Sequence, residues 1–216
     1  MPFRDREEAG RRLGARLAGL RGEAPVVLAL PRGGVPVAFE VARALGAPLE
    51  VLVARKLGAP GNPEYALGAI AEGGALVLDD VAVAEAGAGE AQLAGLLERE
   101  TAELARRVRA YRGDRPLPPL AGRTAILVDD GIATGRTTLA AVRALRRLEP
   151  RRLVVAAPVA AAQTAASLRR EVDELVCLVE PEVFFAVGSW YERFGQTTDD
   201  EVRALLERAG FDWHQA

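Results

Sequence analysis

The sequence predicts an α/β protein with a doubly wound, mostly parallel sheet. Two observations support this prediction: short apolar runs recur along the chain, and segments with a helical spacing of apolar residues lie between them. Such alternation is typical of βαβ units with right-handed crossovers. Because the runs contain few polar side chains, we expect their strands to be buried on both faces. The predicted strands are 26–30, 49–54, 125–129, 152–157 and 175–179.

The helical patterns fill the intervals between these strands. Predicted helices span 36–45, 138–148 and 161–171, with a long amphipathic helix at 90–111 and a final helix at 198–209. Segment 58–74 carries five glycines and two prolines and precedes a further strand at 75–78, which indicates a long loop with some extended structure, of the kind that acts as a lid. We therefore expect a core over residues 1–180, with a lid near 58–74 and a helical insertion near 85–120, then a C-terminal hood or cap at 181–216.

Composition excludes several classes of protein. The chain has 216 residues, 28 basic against 30 acidic side chains and 50% hydrophobic residues, which suits one folded domain rather than a disordered or fibrous chain. The net charge of −2 disfavours a nucleic-acid partner. One cysteine and one histidine exclude an internal disulfide and a zinc site with soft ligands. With neither a long apolar stretch nor a secretory signal, we expect a cytoplasmic protein without a membrane partner.

The third predicted strand leads into the segment LVDDGIATGRTT. A strand that delivers a small, hydroxyl-rich loop to a helix N-terminus forms a phosphate cradle, because backbone N–H groups converge there. Gly135 leaves room for an oxygen, and the adjacent carboxylates of Asp129 and Asp130 could accept hydrogen bonds from a ribose diol or orient a hydrated Mg²⁺. The alternative is a plain Asp turn with a threonine helix cap. Two acidic residues together with a TG turn favour the phosphate site.

Two further segments carry phosphate-binding chemistry. The first strand ends in LALPRGGVPVA, where Arg32 offers bidentate donors and Gly33 and Gly34 permit close backbone approach. The second strand ends in VARKLG, which contains Lys56, the one lysine among 28 basic residues. A lysine supplies a compact ammonium that an arginine cannot replace, which favours a phosphate-binding role; a chance outcome of composition is the alternative. The sequence has neither GxxxxGK[ST] nor a GxGxxG after its first strand, which argues against a P-loop NTPase and a Rossmann dehydrogenase.

Segment 125–138 resembles the 5-phosphoribosyl 1-pyrophosphate (PRPP) signature of the type I phosphoribosyltransferases. The order of motifs along the chain is similar to that of an uncharacterised group of predicted phosphoribosyltransferases. The resemblance implies a type I fold with an inserted long helix and a small aromatic hood. It implies that Asp129 and Asp130 face the ribose, and that pyrophosphate is gripped by Pro31, Arg32, Gly33 and Gly34, where a cis peptide at Pro31–Arg32 is expected, together with Arg55 and Lys56. The 5-phosphate would bind Ala133, Thr134, Gly135, Arg136, Thr137 and Thr138.

The acceptor side resembles the family less closely. The segment FFAVGSWYERF is similar to a purine-stacking strand end, which implies an aromatic cap built from Phe185, Val187 and Trp190, although a small hydrophobic core beneath the C-terminal helix is the alternative. Ala133 stands where hypoxanthine and guanine enzymes have an acidic residue, and within this segment no Asp follows the Val-Gly pair, only Glu192. The resemblance therefore does not identify the ring that is the acceptor.

The resemblance implies an enzyme that transfers a 5-phosphoribosyl group from PRPP to a small nitrogenous, nucleobase-like acceptor and releases pyrophosphate. Asp129, Asp130, Lys56 and Arg32 are the expected catalytic residues, with Mg²⁺ held mainly through PRPP rather than by a protein metal cage. His214 lies near the chain end and is not expected to be a general base. A non-catalytic sensor of PRPP or nucleotides is the alternative, with a basic stripe at Arg106, Arg107, Arg109 and Arg112, and a homodimer is left open.

Overall fold

The structure, a computed structural model, describes residues 3–210, so His214 lies outside the described residues. The strands are β1 (Pro25–Ala29), β2 (Leu49–Val51), β3 (Ala54–Ala59), β4 (Asn62–Ala71), β5 (Ala75–Leu78), β6 (Thr124–Val128), β7 (Arg152–Val159) and β8 (Glu174–Val179). The α-helices are α1 (Arg6–Arg16), α2 (Gly34–Leu45), α3 (Asp80–Glu85), α4 (Glu90–Arg112), α5 (Arg136–Arg146), α6 (Ala162–Leu168) and α7 (Asp199–Ala209).

Five strands form the predicted parallel sheet, in the order β2-β1-β6-β7-β8. Alternate residues of β1 and β6 face opposite sides, and every residue of both strands is buried, as the continuous apolar runs predict. Helices α1, α2 and α7 cover one face of the sheet, and α5, α6 and a second, smaller sheet cover the other. The doubly wound α/β architecture is therefore confirmed.

The strand order reverses between β1 and β6, which lie side by side at the centre of the sheet. From β1 the chain moves outward to β2, whereas from β6 it moves the other way through β7 to β8. Loops at the carboxyl ends of two such strands diverge to opposite faces and leave a crevice, the usual ligand site of an open α/β sheet. This topology brings the loops after β1 and β6 together.

Segment 58–74 contains far more extended structure than the predicted loop allowed, because most of it belongs to β3 and β4. Strands β3, β4 and β5 form an antiparallel sheet, with Pro60 and Gly61 between the first two. Leu57, Leu67 and Ile70 are buried against α4, and this packing outweighs the loop-forming tendency of the local glycines and prolines. The predicted strand at 49–54 is likewise divided, since β2 joins the parallel sheet and β3 begins the small one.

The aromatic C-terminal segment folds back onto the N-terminus. Phe3 pairs with Tyr191 through an isolated bridge, and the Phe3 N–H donates to the carbonyl of Trp190 at 2.6 Å. Phe3, Tyr191 and Val159 are buried in one cluster, to which Phe184 and Trp190 contribute partly buried rings. We call residues 3–6 and 184–197 together the hood, because they cover one side of the crevice.

The expected basic stripe on α4 is largely neutralised. Arg106 and Arg107 both pair with Glu103, and Arg112 is buried in an ion pair with Glu72 at the base of the small sheet. The Arg112 guanidinium also donates to the carbonyl of Val51 at 3.0 Å, which ties the end of α4 to β2. Arg112 is therefore a structural residue and not part of an exposed surface. Within residues 3–210, no helix is long and apolar enough to cross a membrane.

Candidate active site

At the base of the crevice, the loops after β1 and β6 are in direct contact. The Leu30 N–H donates to the Val128 carbonyl at 2.9 Å, which joins the two strand ends. A Cβ added to Gly33 would lie 2.1 Å from Oδ2 of Asp130, and one added to Gly34 would lie 2.8 Å from the Val128 carbonyl oxygen. Gly34 therefore requires glycine, because backbone of the second loop lies where a side chain would be, whereas a side chain at position 33 would displace the Asp130 carboxylate. The expected cis peptide at Pro31–Arg32 is present.

Asp129 and Asp130 lie side by side at the end of β6, where both are largely shielded from solvent. Oδ1 of Asp129 accepts a hydrogen bond from the Asp130 N–H at 2.9 Å. Burial and the neighbouring Asp130 charge raise the pKa of Asp129 well above its usual range. Burial also raises the pKa of Asp130, while the Arg6 guanidinium opposes that rise. Two crowded carboxylates of this kind favour a ligand that brings hydroxyl donors or a cation.

Arg6 and Tyr191 are site residues that the sequence reasoning missed. Nε of Arg6 donates to Oδ2 of Asp130 at 2.7 Å, and the Tyr191 hydroxyl donates to the Asp130 backbone carbonyl at 2.5 Å. Burial raises the pKa of Tyr191, so its hydroxyl stays a donor. Tyr191 stands in the aromatic segment that suggested a cap, whereas nothing in the N-terminal sequence distinguishes Arg6 from its charged neighbours.

The loop after Asp130 has the geometry of a phosphate cradle. Gly135 has a φ of +70°, the left-handed conformation, and α5 begins at the next residue, so the first N–H groups of that helix point toward the loop. Ala133 and Thr134 are exposed, Thr137 is half-buried, and Thr138 is buried inside the first turn. The Thr164 hydroxyl donates to the Ala133 carbonyl at 2.6 Å and fixes the outer side of the loop.

The candidate phosphate-binding arginines are each held by a carboxylate. Arg136 pairs with Asp79 at the start of α3, and Nη1 of Arg32 lies 3.6 Å from Oδ1 of Asp199 at the start of α7. Arg55 pairs with Glu100 of α4 at 2.5 Å.

Arg55 and Lys56 lie on opposite faces of the β3–β4 hairpin. Directly opposed residues of an antiparallel pair share a face. Arg55 lies opposite Ile70, which packs with α4, whereas Lys56 lies opposite Ala69, which packs in the core that includes α5. The exposed Lys56 nevertheless lines a cavity of about 410 Å³ together with Arg55 and Glu100, and none of the described residues that line this cavity belongs to the phosphate cradle.

Of the three residues expected to bind the acceptor, the structure brings one to the carboxylates. Val187 packs on Gly131, where an added Cβ would lie 2.4 Å from its Cγ1. Phe185 is 89% exposed, and Trp190 packs in the aromatic cluster with Phe3. A cleft of about 340 Å³ instead opens beside the carboxylates, lined by Arg6, Arg32, Gly33, Asp130, Phe194, Gly195, Gln196 and Thr197.

Comparison with known proteins agrees with this arrangement of loops. The model of the phosphoribosyl transferase domain family matches residues 5–193. The chain therefore belongs to the phosphoribosyl transferase domain family. The glycine loop after β1, the paired carboxylates and the loop that leads into α5 all lie within the matched residues.

Several individual proteins are similar over nearly the whole chain. TT1426 from Thermus thermophilus, a solved crystal structure, is 48% identical with a TM-score of 0.79, covering 96% of this chain and 99% of that one. A Mycobacterium tuberculosis protein named "Putative phosphoribosyl transferase Rv0571c" is 50% identical over 214 residues, covering 99% of this chain and 48% of that protein. The chain thus spans about half the length of the curated relatives it matches. AQ2163 from Aquifex aeolicus, at 14% identity and a TM-score of 0.52, covers 85% of this chain and 78% of that one and shares the fold.

Proposed function

We propose that the protein binds PRPP and transfers its 5-phosphoribosyl group to a small nitrogenous acceptor, releasing pyrophosphate. The contact between Gly33 and the Asp130 carboxylate is the observation that best supports this assignment. It places a loop suited to pyrophosphate directly against carboxylates suited to ribose hydroxyls, with a phosphate cradle next along the chain. These three features follow the order of groups in PRPP, in which C1 of the ribose joins the pyrophosphate and C5 joins the phosphate.

In this assignment the protein positions the donor and neutralises its charge. The C1–O bond to pyrophosphate breaks as the C1–N bond to the acceptor forms, so negative charge grows on the leaving oxygen. Arg32 and Lys56 offset that charge from the glycine loop and the hairpin. Arg55, on the hairpin, forms an ion pair with Glu100 of α4. Arg55 therefore contributes only if a pyrophosphate oxygen replaces Glu100 as its partner.

The donor set fits Mg²⁺, which prefers oxygen ligands and keeps much of its shell from substrate and water. Asp129 and Asp130 provide carboxylate oxygens, and within residues 3–210 no group of three or more histidine, cysteine or acidic side chains forms a metal cage. PRPP oxygens would therefore supply most of the ligands. When bound, the ion neutralises pyrophosphate charge that the arginines leave uncompensated.

The β3–β4 hairpin is the proposed lid, in place of the loop expected from its glycines. It carries Lys56, and its turn at Pro60 and Gly61 is exposed. The acceptor would enter on the hood side of the carboxylates. There Val187 packs on Gly131 and the cleft beside Asp130 opens. A nucleobase-like ring is of a size that a cleft of about 340 Å³ can hold.

Pyrophosphate release with a panel of nucleobases tests this proposal. The protein, PRPP and Mg²⁺ are mixed with each base in turn, and pyrophosphate is measured with a coupled assay. Turnover with at least one base is expected, and the variant Asp129→Asn should lose it. Tight PRPP binding without turnover for any acceptor would instead favour the non-catalytic sensor, and would contradict the transferase assignment.

A further inference from the structure

We propose that Arg6, on the first helix, is a positioning residue for the ribose: it holds the Asp130 carboxylate in the orientation that receives the sugar hydroxyls. This inference rests on the proposed function, since it assumes that Asp129 and Asp130 bind a ribose. It assigns a role in the site to a residue 124 positions away from Asp130 in the sequence.

Three contacts fix the guanidinium of Arg6. Nε donates to Oδ2 of Asp130 at 2.7 Å, and Nη1 donates to the carbonyl of Gly195 at 2.7 Å. The central carbon of the group lies 3.9 Å from the centre of the Phe194 ring. Because the three contacts come from different directions, the plane of the guanidinium has little freedom. It can therefore hold one carboxylate oxygen in a fixed place.

Asp130 needs such a partner because of its surroundings. Its Oδ2 lies over Gly33 on one side, and the Asp129 carboxylate is its neighbour on the other. Repulsion between the two carboxylates would rotate Asp130 away or favour its protonated form. Arg6 opposes both effects, while the Tyr191 hydroxyl holds the backbone carbonyl of the same residue.

The low exposure of the pair favours a role in binding over a role in stability. The side chains of Arg6 and Asp130 are only 12% and 13% exposed. Removing both charges from water costs about as much as their attraction returns, so a pair of this kind adds little net stability. The pair therefore adds little net stability, yet it includes the carboxylate proposed to bind ribose. Its presence is better explained by the orientation that Arg6 imposes on that carboxylate.

The contact also links the hood to the ribose site. Arg6 stands at the start of α1, and its other partners, Phe194 and Gly195, belong to the C-terminal part of the hood. Arg6 therefore holds the carboxylate when the two parts of the hood, residues 3–6 and 184–197, are docked against each other beside the crevice. The contacts that dock the hood are therefore also the contacts that orient Asp130 for the ribose.

Three variants test the inference: Arg6→Gln, Arg6→Lys and the control Arg11→Gln on the same helix. Arg11 is 41% exposed and lies 3.8 Å from Glu7, away from the site residues. Calorimetric titration, with Mg²⁺ present throughout, compares PRPP, ribose 5-phosphate and inorganic pyrophosphate as ligands. Circular dichroism and the melting temperature of each ligand-free variant establish that it is folded.

Arg6→Gln should bind PRPP and ribose 5-phosphate about 10- to 100-fold more weakly, the range for losing a hydrogen bond to a charged group. Its affinity for pyrophosphate should be unchanged, since that ligand lacks the ribose. Arg6→Lys should restore part of the loss, because an ammonium supplies charge without the planar fork. Arg11→Gln should match the wild type for all three ligands.

Two results would overturn the inference while leaving the proposed function intact. One is wild-type affinity for the ribose ligands in folded Arg6→Gln. The other is an equal loss for pyrophosphate, which would mean that Arg6 acts as a general positive charge or a structural support. A wild-type protein that binds no PRPP would be a different failure, because it would remove the proposed function and this inference with it.

Discussion

Replacing Gly33 with alanine tests the contact between the two loops. The residue has φ −60° and ψ −33°, which alanine adopts readily, so the substitution adds one methyl group without backbone strain. That methyl carbon would lie 2.1 Å from Oδ2 of Asp130, and ordinary contact begins at 3.4 Å, so the carboxylate must move by about 1.3 Å. Misplacement of a site group by about 1 Å can cost about 100-fold. Gly33→Ala should therefore weaken PRPP binding by about that factor.

Gly19→Ala is the matched control for this substitution. Gly19 is exposed in a short 3-10 helix, and a Cβ added there meets no atom within 4 Å. Both variants are titrated with PRPP and Mg²⁺ by calorimetry, and their melting curves are compared with that of the wild type. The control should bind as the wild type does. Gly33→Ala should stay folded, with a loss in unfolding free energy of no more than about 1 to 3 kcal/mol. If Gly33→Ala binds PRPP within about twofold of the control, the two loops do not form one site.

The remaining predictions concern three other residues. Lys56→Ala should lower kcat by about 100-fold or more and raise the KM for PRPP much less, as measured by steady-state pyrophosphate release, because charge accumulates on the leaving group in the transition state. The pKa of Asp129 is raised in the folded state, so the free energy of unfolding of the ligand-free protein should fall as pH rises above the ordinary carboxyl range, where the unfolded state loses this proton first. Asp129→Asn should flatten this decline in melting curves recorded over a series of pH values. Burial raises the pKa of Cys177 to about 12, so iodoacetamide should alkylate it at pH 8 only after unfolding, as mass spectrometry would detect.

The parallel core was predictable from the sequence because its strands carry a strong local signal. The run AILVD, for example, is apolar enough to specify a strand buried on both faces, and β6 occupies Thr124–Val128. The phosphate cradle was predictable for a related reason, since a strand, a glycine turn and a helix start follow one another within a few residues. The sequence alone is therefore sufficient to predict elements whose residues are close together along the chain.

The hairpin and the hood side of the site were not predictable in this way. Residues around Gly58 and Pro63 have the composition of a loop, and only packing of Leu57 and Ile70 on the distant helix α4 makes them strands. Arg6 becomes a site residue through Asp130 and Gly195, both more than a hundred positions away. No local pattern encodes such contacts, because they depend on how the completed fold brings together segments that are distant in the sequence.

Titration of the wild-type protein with PRPP in the presence of Mg²⁺ is the most direct test of the proposed site. We expect saturable binding in the calorimeter with one PRPP per chain. At 100 times its Kd, a ligand that binds only the folded state adds about 2.7 kcal/mol to the unfolding free energy, so the melting temperature should rise with PRPP concentration. A folded sample that gives neither a binding isotherm nor a higher melting temperature at millimolar PRPP would contradict the assignment of this crevice to PRPP.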